Sequence, residues 1–487
     1  MLKPKETQLR RLEEIAREAS DILQGKLTAT EGIRHIIALF LLKLLSDLAS
    51  ERLNTDEHAA HVRSGWAAFG IPRQYSWAAL QASRRKDIAQ LLDDALQAAE
   101  RSNKILTGAF DTIGFKQIFG ASESQLAILR HLLDTISTAD LRPSSFLDDR
   151  DLGSFFEFLA NLLVERAPRD SPEFSAPPDL GRLIASLLAP EAHESIFDPA
   201  CGSGGLLASL IREAGAKHGA VIGQDWRTSS LSLCRMNLLF HGVTSAHIEL
   251  ADPLRSPIIA ESGRLLQADV VISNPPFGLR HGDDIWNSRP DLLRHGINPR
   301  SRTDYAFVAH MIEVARDGKG RVGVIVPLGA LFRKEEREAR RNFIEANLLS
   351  CVIALPAGLF SSTKISVAIL FFDKGKESSN VLFIDASRSF EQVGRVNRIP
   401  EGERNRIIQT FRSSLVVPGF SHVATLEEIQ ANDFQLNLPL YVREEISLHV
   451  RSPKEIQREI AETQAELAEV QGEIDSILGS LGLRSPS

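Results

Sequence analysis

The stretch FDPACGSGG, residues 197–205, decides the fold that we expect of this 487-residue chain. It ends a short apolar run, Ser195 to Phe197, and leads into the helix-like segment Leu206 to Arg212. Glycines between a strand and a helix let the backbone approach a nucleotide-like ligand, because a Cβ would occupy that space. Leu207 stands where a dinucleotide-binding pattern has its third glycine. The turn therefore predicts a nucleotide-type pocket that does not seat a pyrophosphate.

Further short apolar runs follow this turn and alternate with amphipathic stretches. Such alternation predicts an α/β fold, a largely parallel sheet with helices on both faces. The last two runs, near Leu355 and Ile369, lie close together and predict an antiparallel edge. The runs comprise residues 219–223, 246–250, 269–273, 322–326, 351–355 and 367–372.

The two ends of the chain differ from this central part. From Glu6 to about Ala139 apolar residues recur at helical spacing, which predicts a helical N-terminal domain. From Ser452, followed by Pro453, a strict 4-3-4-3 seam predicts a coiled-coil-like helix that begins at a good N-cap. We therefore divide the chain into residues 1–145, 146–447 and 448–487. The seam consists of Ile456, Ile460, Thr463, Leu467, Val470, Ile474, Ile477 and Leu481.

Composition narrows the class of protein. The net charge is -7, with 43% hydrophobic and 24% charged residues, as in ordinary globular proteins. The longest apolar stretch near the start, Ile36 to Leu42, is too short to cross a bilayer, and no secretory signal is visible. We expect a cytoplasmic protein without membrane contact. The three cysteines are far apart in sequence and lack zinc-ligand spacing, so we expect buried thiols and no metal.

Three aspartates at predicted strand ends suit one particular ligand, S-adenosylmethionine. Asp198 offers a carboxylate to the ammonium group of that molecule. Asp225, 21 residues after Gly204, ends the second strand, where an acid accepts hydrogen bonds from ribose hydroxyls. Asp252, after the third strand, is placed to accept from the adenine amino group, although a solvated turn aspartate fits that position too.

A second motif, DVVISNPPFG at residues 269–278, places Asn274 at the end of a buried strand. An exocyclic amine is a poor nucleophile, because its lone pair is conjugated into the base. The Asn274 oxygen and the Pro275 carbonyl can hold the amine hydrogens and turn the lone pair toward a sulfonium methyl. Phe277 can stack on a base swung out of the duplex.

At these residues the chain resembles the N6-adenine DNA methyltransferases, specifically the methylation subunits of type I restriction-modification systems. The likeness covers nearly the whole chain, including the helical N-terminal part with Phe40-Leu41-Leu42-Lys43. Its further motifs are Gly223-Gln224-Asp225, Met236-Asn237, His241-Gly242, Asp304-Tyr305-Ala306-Phe307, Gly320-Arg321-Val322, Leu331-Phe332, Leu355-Pro356-Ala357-Gly358-Leu359-Phe360 and Asp433-Phe434-Gln435-Leu436-Asn437.

The resemblance implies a Rossmann-like S-adenosylmethionine-dependent methyltransferase domain and a set of site residues. It departs from the family at the entrance motif, where Ala176 lacks the usual hydroxyl for the cofactor. The implied catalytic residues are Asn274, Pro275, Pro276 and Phe277. The implied cofactor-binding residues are Phe174, Asp198, Ala200, Gly202, Ser203, Gly204, Asp225, Trp226, Asp252 and Leu254.

The resemblance also implies partners: double-stranded DNA, a DNA specificity subunit, a restriction or translocase subunit and a second copy of this chain. Four basic residues, Arg289, Arg294, Arg300 and Arg302, are candidates for holding DNA phosphates, and a solvated loop is an equal alternative. Other functions stay open: a stand-alone DNA methyltransferase, a protein glutamine methyltransferase, or a non-catalytic assembly subunit. The choice between adenine N6 and cytosine N4 is open as well.

Overall fold

The computed structural model places residues 1–443 and 444–487 in two separate compact units. It describes residues 6–54, 68–83, 87–120, 122–146, 150–166, 176–215, 218–280, 282–360, 365–394, 396–443 and 453–480. The first unit holds the helical N-terminal part and the sheet.

The N-terminal part is helical, as predicted. The stretch Ile36 to Leu42 has no exposed surface, because it lies at the centre of the helical bundle. Phe40 contacts Phe155 edge to face at 5.0 Å, and Phe156 lies 5.4 Å from Phe240 of the sheet region. Helices and sheet thus share one apolar core. The helices here are α1 (Glu6–Leu23), α2 (Ala29–Asn54), α3 (Trp77–Ala82), α4 (Ile88–Ser102), α5 (Phe115–Phe119), α6 (Glu123–Ser137) and α7 (Arg150–Arg166).

A nine-stranded sheet forms the rest of the first unit, in the order β11-β8-β6-β7-β5-β4-β1-β2-β3. The segment from β3 to β5 is parallel, whereas β7 runs antiparallel to both β5 and β6. The strands are β1 (Ile196–Asp198), β2 (Val221–Asp225), β3 (His247–Leu250), β4 (Val270–Ser273), β5 (Arg321–Pro327), β6 (Leu349–Ala354), β7 (Val367–Asp373), β8 (Val381–Asp385) and β11 (Ser421–Ala424). A separate hairpin pairs β9 (Glu391–Val393) with β10 (Val396–Arg398).

The predicted antiparallel pairing of the two runs near Leu355 and Ile369 is confirmed, but its position at an edge was wrong. β7 lies inside the sheet, and two further strands, β8 and β11, continue beyond β6. Periodicity cannot reveal this order, because a strand buried on both faces has the same apolar sequence at any central position.

Side chains of the strands alternate between two apolar layers. Val270 and Ile272 of β4 join the core shared with the N-terminal helices, whereas Val271 belongs to the core on the other face. Helices cover both faces, as the α/β prediction requires. They are α8 (Pro178–Leu188), α9 (Gly205–Ala214), α10 (Thr228–Phe240), α11 (Asp283–Ser288), α12 (Pro290–Leu293), α13 (Asp304–Val314), α14 (Arg337–Glu345), α15 (Glu401–Ser413) and α16 (Leu426–Ala431).

The second unit contains one helix, α17 (Pro453–Ser480). It begins at Pro453, as predicted; the predicted N-cap Ser452 and the seam residue Leu481 lie outside the described residues. Four apolar seam side chains are exposed, with Leu467 the most accessible at 69%. The other three are Ile460, Val470 and Ile474. Among the described residues, no helix combines the length and the apolar character needed to cross a membrane.

Candidate active site

The two sequence motifs meet where the strand order reverses. β1 lies between β2 and β4, so the chain builds the sheet toward one edge through β2 and β3 and toward the other through β4 and β5. Ligands of open α/β sheets bind at the carboxyl ends of the strands at this point. Asp198 ends β1 and Ser273 ends β4, and the Ser273 hydroxyl donates to Asp198 Oδ1 at 2.7 Å. The cofactor motif and the catalytic motif are thereby in direct contact.

Asp198 is almost completely buried, with 1% of its surface exposed. Burial raises the pKa of this carboxyl to about 7, although hydrogen bonds from Ser273 and from the Ala200 N–H, the latter at 2.9 Å, act in the opposite direction. The negative charge of Asp225 nearby adds to the rise. A carboxylate that is costly to ionise on its own is stabilised when a cation binds beside it.

The glycine turn contains two positions in the left-handed region, and they serve different purposes. Gly202, at φ +53°, has open space where a Cβ would stand. A Cβ on Gly204, at φ +79°, would lie 2.9 Å from Cys234 Sγ on α10. Ser203 is buried, and its carbonyl accepts from the Asn237 amide at 2.9 Å. Among these two described positions Gly202 leaves room for a ligand, whereas helix packing requires a glycine at 204. The predicted role of Gly204 in ligand approach stays a prediction.

Asp225, at the end of β2, already has donors around its carboxylate. It accepts from the Gly202 N–H at 3.0 Å and from the Arg227 N–H at 2.9 Å. The Arg227 guanidinium donates to both of its oxygens, at 3.1 and 3.3 Å. These four contacts use the four acceptor positions of a carboxylate. A ribose would therefore have to displace Arg227. Next to them Trp226 leaves 63% of its surface exposed.

The segment after β3 approaches β2 from the side. The Ala251 N–H donates to the Asp225 carbonyl at 3.1 Å, and Asp252 Oδ1 accepts from the Leu254 N–H at 3.0 Å, which closes a turn. Leu254 exposes no surface and belongs to the core, so its side chain supports this turn, and its contact with the cofactor stays a prediction. Arg289 donates to the carbonyls of Pro253 and Leu254 at 3.2 and 3.4 Å.

The catalytic motif leaves β4 with an unsatisfied acceptor. Asn274 Oδ1 is buried and has no hydrogen-bond partner among the described residues. Pro275 is buried, and Pro276 and Phe277 are half-buried. Phe277 packs edge to face on Phe360 at 6.2 Å and 87°. Buried acceptors normally have a partner, so an open one at a switch point marks a place for a donor from a ligand.

Some sequence predictions are corrected by the structure, and one concerns a residue outside the described ranges. Arg289 is 4% exposed and pairs with Asp291, so it is not free to hold a phosphate, and Arg294 pairs with Glu313. Ala176 is buried in the core. Phe174 lies outside the described residues. Arg300 and Arg302 are exposed, as a phosphate contact would require.

Three contributors to the site were missed by sequence reasoning. Ser273 links the two motifs, Arg227 forms an ion pair with Asp225, and Arg289 supports the turn at Asp252. Ser273 was detectable in principle, because a polar residue in an apolar buried run usually has a buried partner. The other two have no comparable signal, since arginines in polar surroundings are usually solvated.

Comparison with known families agrees with this geometry. Residues 148–449 match the model of the N-6 DNA Methylase family, and residues 12–136 match the HsdM N-terminal domain. The chain belongs to the N-6 DNA Methylase family. The resemblance that the motifs predicted is thus confirmed. Together the two family matches include the helical bundle and the sheet with its two motifs.

Relatives of this N-6 DNA methylase chain are methylase subunits. It is 30% identical over 368 residues to the type I restriction enzyme MjaVII methylase subunit of Methanocaldococcus jannaschii, which covers 70% of this chain and 62% of the relative. It is 28% identical to the HindI methylase subunit of Haemophilus influenzae, over 73% of this chain and 83% of the relative. The chain thus spans less than two thirds of the length of the first of these.

A solved structure shows the same fold. The type I restriction-modification methyltransferase subunit from Streptococcus thermophilus superimposes with a TM-score of 0.77 at 22% identity. The match covers 89% of this N-6 DNA methylase chain and all of the other chain. The predicted fold class, an α/β methyltransferase domain with a helical N-terminal part, is confirmed.

Proposed function

We propose that this chain transfers a methyl group from S-adenosylmethionine to the N6 amino group of adenine in double-stranded DNA. One observation carries the proposal: the unpartnered, buried Asn274 oxygen stands next to the Ser273–Asp198 contact that joins the two motifs. An amine donor from a substrate satisfies that oxygen. The acceptor is neutral, so it does not form an ion pair with the positively charged methyl donor.

The cofactor side fits S-adenosylmethionine. Asp198 suits its ammonium group, since a nearby cation lowers the cost of ionising a buried carboxyl whose pKa is about 7. The open space at Gly202 admits a ligand, Asp225 takes the ribose hydroxyls, and the exposed face of Trp226 is available to an adenine ring. When bound, the cofactor supplies an electrophilic methyl group on a positively charged sulfur.

The base side prepares the nucleophile. Asn274 Oδ1 and the Pro275 carbonyl accept the two amine hydrogens, which turns the nitrogen lone pair out of conjugation and toward the methyl carbon. Phe277 offers a face to the base, while its edge-to-face contact with Phe360 fixes the orientation of the ring. A target base must leave the stack to reach this position.

Within this proposal the chain has three working parts. Residues 1–145 form the helical part, residues 146–447 carry the chemistry, and residues 448–487 serve subunit assembly. The apolar side chains exposed on α17 favour a partner for the tail, because a solvated helix gains nothing from them. We assign that partner to a DNA specificity subunit, as the resemblance to the methylation subunits of type I systems implies, with a restriction subunit as a further member of the complex.

A reconstitution experiment tests the proposal. The full chain is expressed with the product of a neighbouring specificity gene, and transfer of isotope-labelled methyl groups to DNA is followed by nucleoside mass spectrometry. We expect N6-methyladenine at a defined sequence, and little or none with the chain alone. N4-methylcytosine, or methylated glutamine in a protein substrate, would replace the proposed substrate. Absence of cofactor binding would favour an assembly protein.

The tail has its own test. A chain that lacks residues 452–487 should keep cofactor binding and its melting temperature, because that segment belongs to a separate unit. It should no longer co-purify with the specificity subunit, and methylation should be lost with it. A truncated chain that still assembles and methylates DNA contradicts the assembly role.

A further inference from the structure

The Gly278 end of the catalytic loop is attached to the start of α13. The Gly278 N–H donates to Asp304 Oδ1 at 2.9 Å. The next residue, Leu279, offers its carbonyl to the Thr303 N–H at 2.9 Å and to the Thr303 hydroxyl at 3.2 Å. Gly278 itself has a φ of +69°, a conformation that other residues rarely adopt. The loop that begins at Asn274 is therefore anchored four residues later.

Asp304 is a buried charge, and its second oxygen is used as well. Its side chain is 2% exposed, and Oδ2 is ion-paired with Arg333. The same guanidinium donates to Glu336 at 2.7 and 3.0 Å, and Glu336 is 1% exposed. One cation is thus shared between two buried carboxylates. Removal of Arg333 would leave both carboxylates without this cation in a dry environment.

Arg333 is itself held in place. It follows the turn after β5, and its carbonyl accepts from the buried Arg340 at 3.0 Å. Arg340 also donates to the carbonyls of Ala330 at 3.0 Å and Phe434 at 2.9 Å. The turn between β5 and α14 is consequently fixed to the body of the sheet region, and Arg333 connects this fixed turn to Asp304.

We propose that Asp304 and Arg333 are positioning residues, which hold the Gly278 end of the catalytic loop and thereby aim Asn274 and Phe277. The inference rests on the proposed function for what the loop does. Neither residue touches the reacting atoms, so neither is catalytic. A displacement of about 1 Å at a reacting group costs on the order of 100-fold in rate, so an anchor on the main chain of the loop matters for catalysis.

A purely structural role predicts a different pattern. A buried ion pair is weak support for stability, because the cost of desolvation offsets most of the attraction, and apolar residues fill such space equally well. Here the carboxylate points at one particular N–H of the loop, which an apolar residue cannot bind. Its expected effect is therefore on the geometry of the loop, beyond any effect on folding.

The test uses the full chain in complex with its specificity partner. Asp304→Ala removes both the acceptor and the charge, Asp304→Asn keeps an acceptor oxygen, and Arg333→Lys keeps the cation. Glu194→Gln is the matched control, because Glu194 pairs with Arg321 at the amino ends of β1 and β5, opposite the strand ends that carry the site, and its side chain is only 11% exposed. The measurements are hydrogen exchange of the peptide that contains Gly278, kcat, KM for S-adenosylmethionine, and melting temperature.

We expect Asp304→Ala to accelerate exchange at the Gly278 amide at least tenfold and to lower kcat at least tenfold, with KM for S-adenosylmethionine within twofold. The exchange rate and kcat of Asp304→Asn should lie between those of Asp304→Ala and the wild type. Arg333→Lys should retain most of the exchange protection of the wild type. Glu194→Gln should leave both exchange and kcat unchanged, even if it lowers the melting temperature.

The opposite pattern overturns the inference. If Asp304→Ala changes exchange and kcat by less than twofold, or if Glu194→Gln changes them equally, Asp304 is only a structural residue. Should Asp304→Ala fail to fold, Asp304→Asn decides, since unchanged exchange and kcat in that variant and in Arg333→Met contradict the anchor. Exchange is measured without turnover, so an inactive wild type would remove the proposed function and leave the anchor testable.

Discussion

The two sides of the switch point are built from different kinds of polar group. On the cofactor side, Asp198 and Asp225 are carboxylates whose oxygens already accept from N–H and O–H groups of the protein. On the base side, Asn274 presents a neutral oxygen that is buried without a partner among the described residues. Burial of charge requires compensation within the protein, whereas one open amide oxygen costs far less. In the proposed reaction the cofactor side is thus assembled in advance, and the base side is completed by the substrate.

The largest expected effect is on the rate of methyl transfer, and it comes from substitutions on the base side. Asn274→Ala or Phe277→Ala should lower methyl transfer at least 100-fold, which is a loss of about 3 kcal/mol of transition-state stabilisation. Affinity for S-adenosylmethionine, measured by calorimetry, should stay within twofold. Asn347→Gly is a suitable control, because Asn347 Oδ1 is also buried without a partner among the described residues but precedes the amino end of β6, and its φ of +56° suits glycine. Transfer within twofold of wild type in Asn274→Ala would refute the catalytic assignment.

On the cofactor side the expected effect is on the affinity for S-adenosylmethionine. Asp225→Ala should weaken S-adenosylmethionine at least tenfold, since it removes the ribose acceptor and releases the Gly202 N–H. Arg227→Gln separates the two roles of the carboxylate: it should tighten binding severalfold, because the ribose no longer displaces a guanidinium. Calorimetric titration measures both. If Arg227→Gln binds more weakly than wild type, Arg227 supports the cofactor and does not compete with it.

The smallest effect concerns substitution of Asp198, which should lower the affinity for S-adenosylmethionine and raise the stability of the protein. Asp198→Asn should bind S-adenosylmethionine severalfold more weakly, and in the wild type affinity should fall as pH drops below about 7, because the carboxyl gains a proton. Its folded pKa is raised, so the ionised form destabilises the protein increasingly from pH 4 to 7. Asp198→Asn should therefore raise the melting temperature more at pH 8 than at pH 5. Equal shifts at both pH values would mean that Asp198 is not held with a raised pKa.

The sequence predicts much of this arrangement because apolar runs and glycine turns report local structure directly. β1 and β2 end at the predicted Asp198 and Asp225, and β4 ends at Ser273, directly before Asn274, since strand ends coincide with the change from apolar to polar residues. Contacts between distant residues have no such signal. Arg289 on the Asp252 turn and Arg333 on Asp304 depend on how separate elements pack, which a single sequence does not encode locally.

The position of β7 affects how the protein is made. β5 pairs with β4 on one side and with β7 on the other, yet β6 lies between β5 and β7 along the chain. During synthesis the outer edge of β5, with its buried valines, therefore stays unpaired until Asp373 has left the ribosome. An exposed apolar strand edge is a template for aggregation. We infer that nascent chains from which Pro327 has emerged but Asp373 has not depend most on chaperones, although both motifs of the site have already emerged.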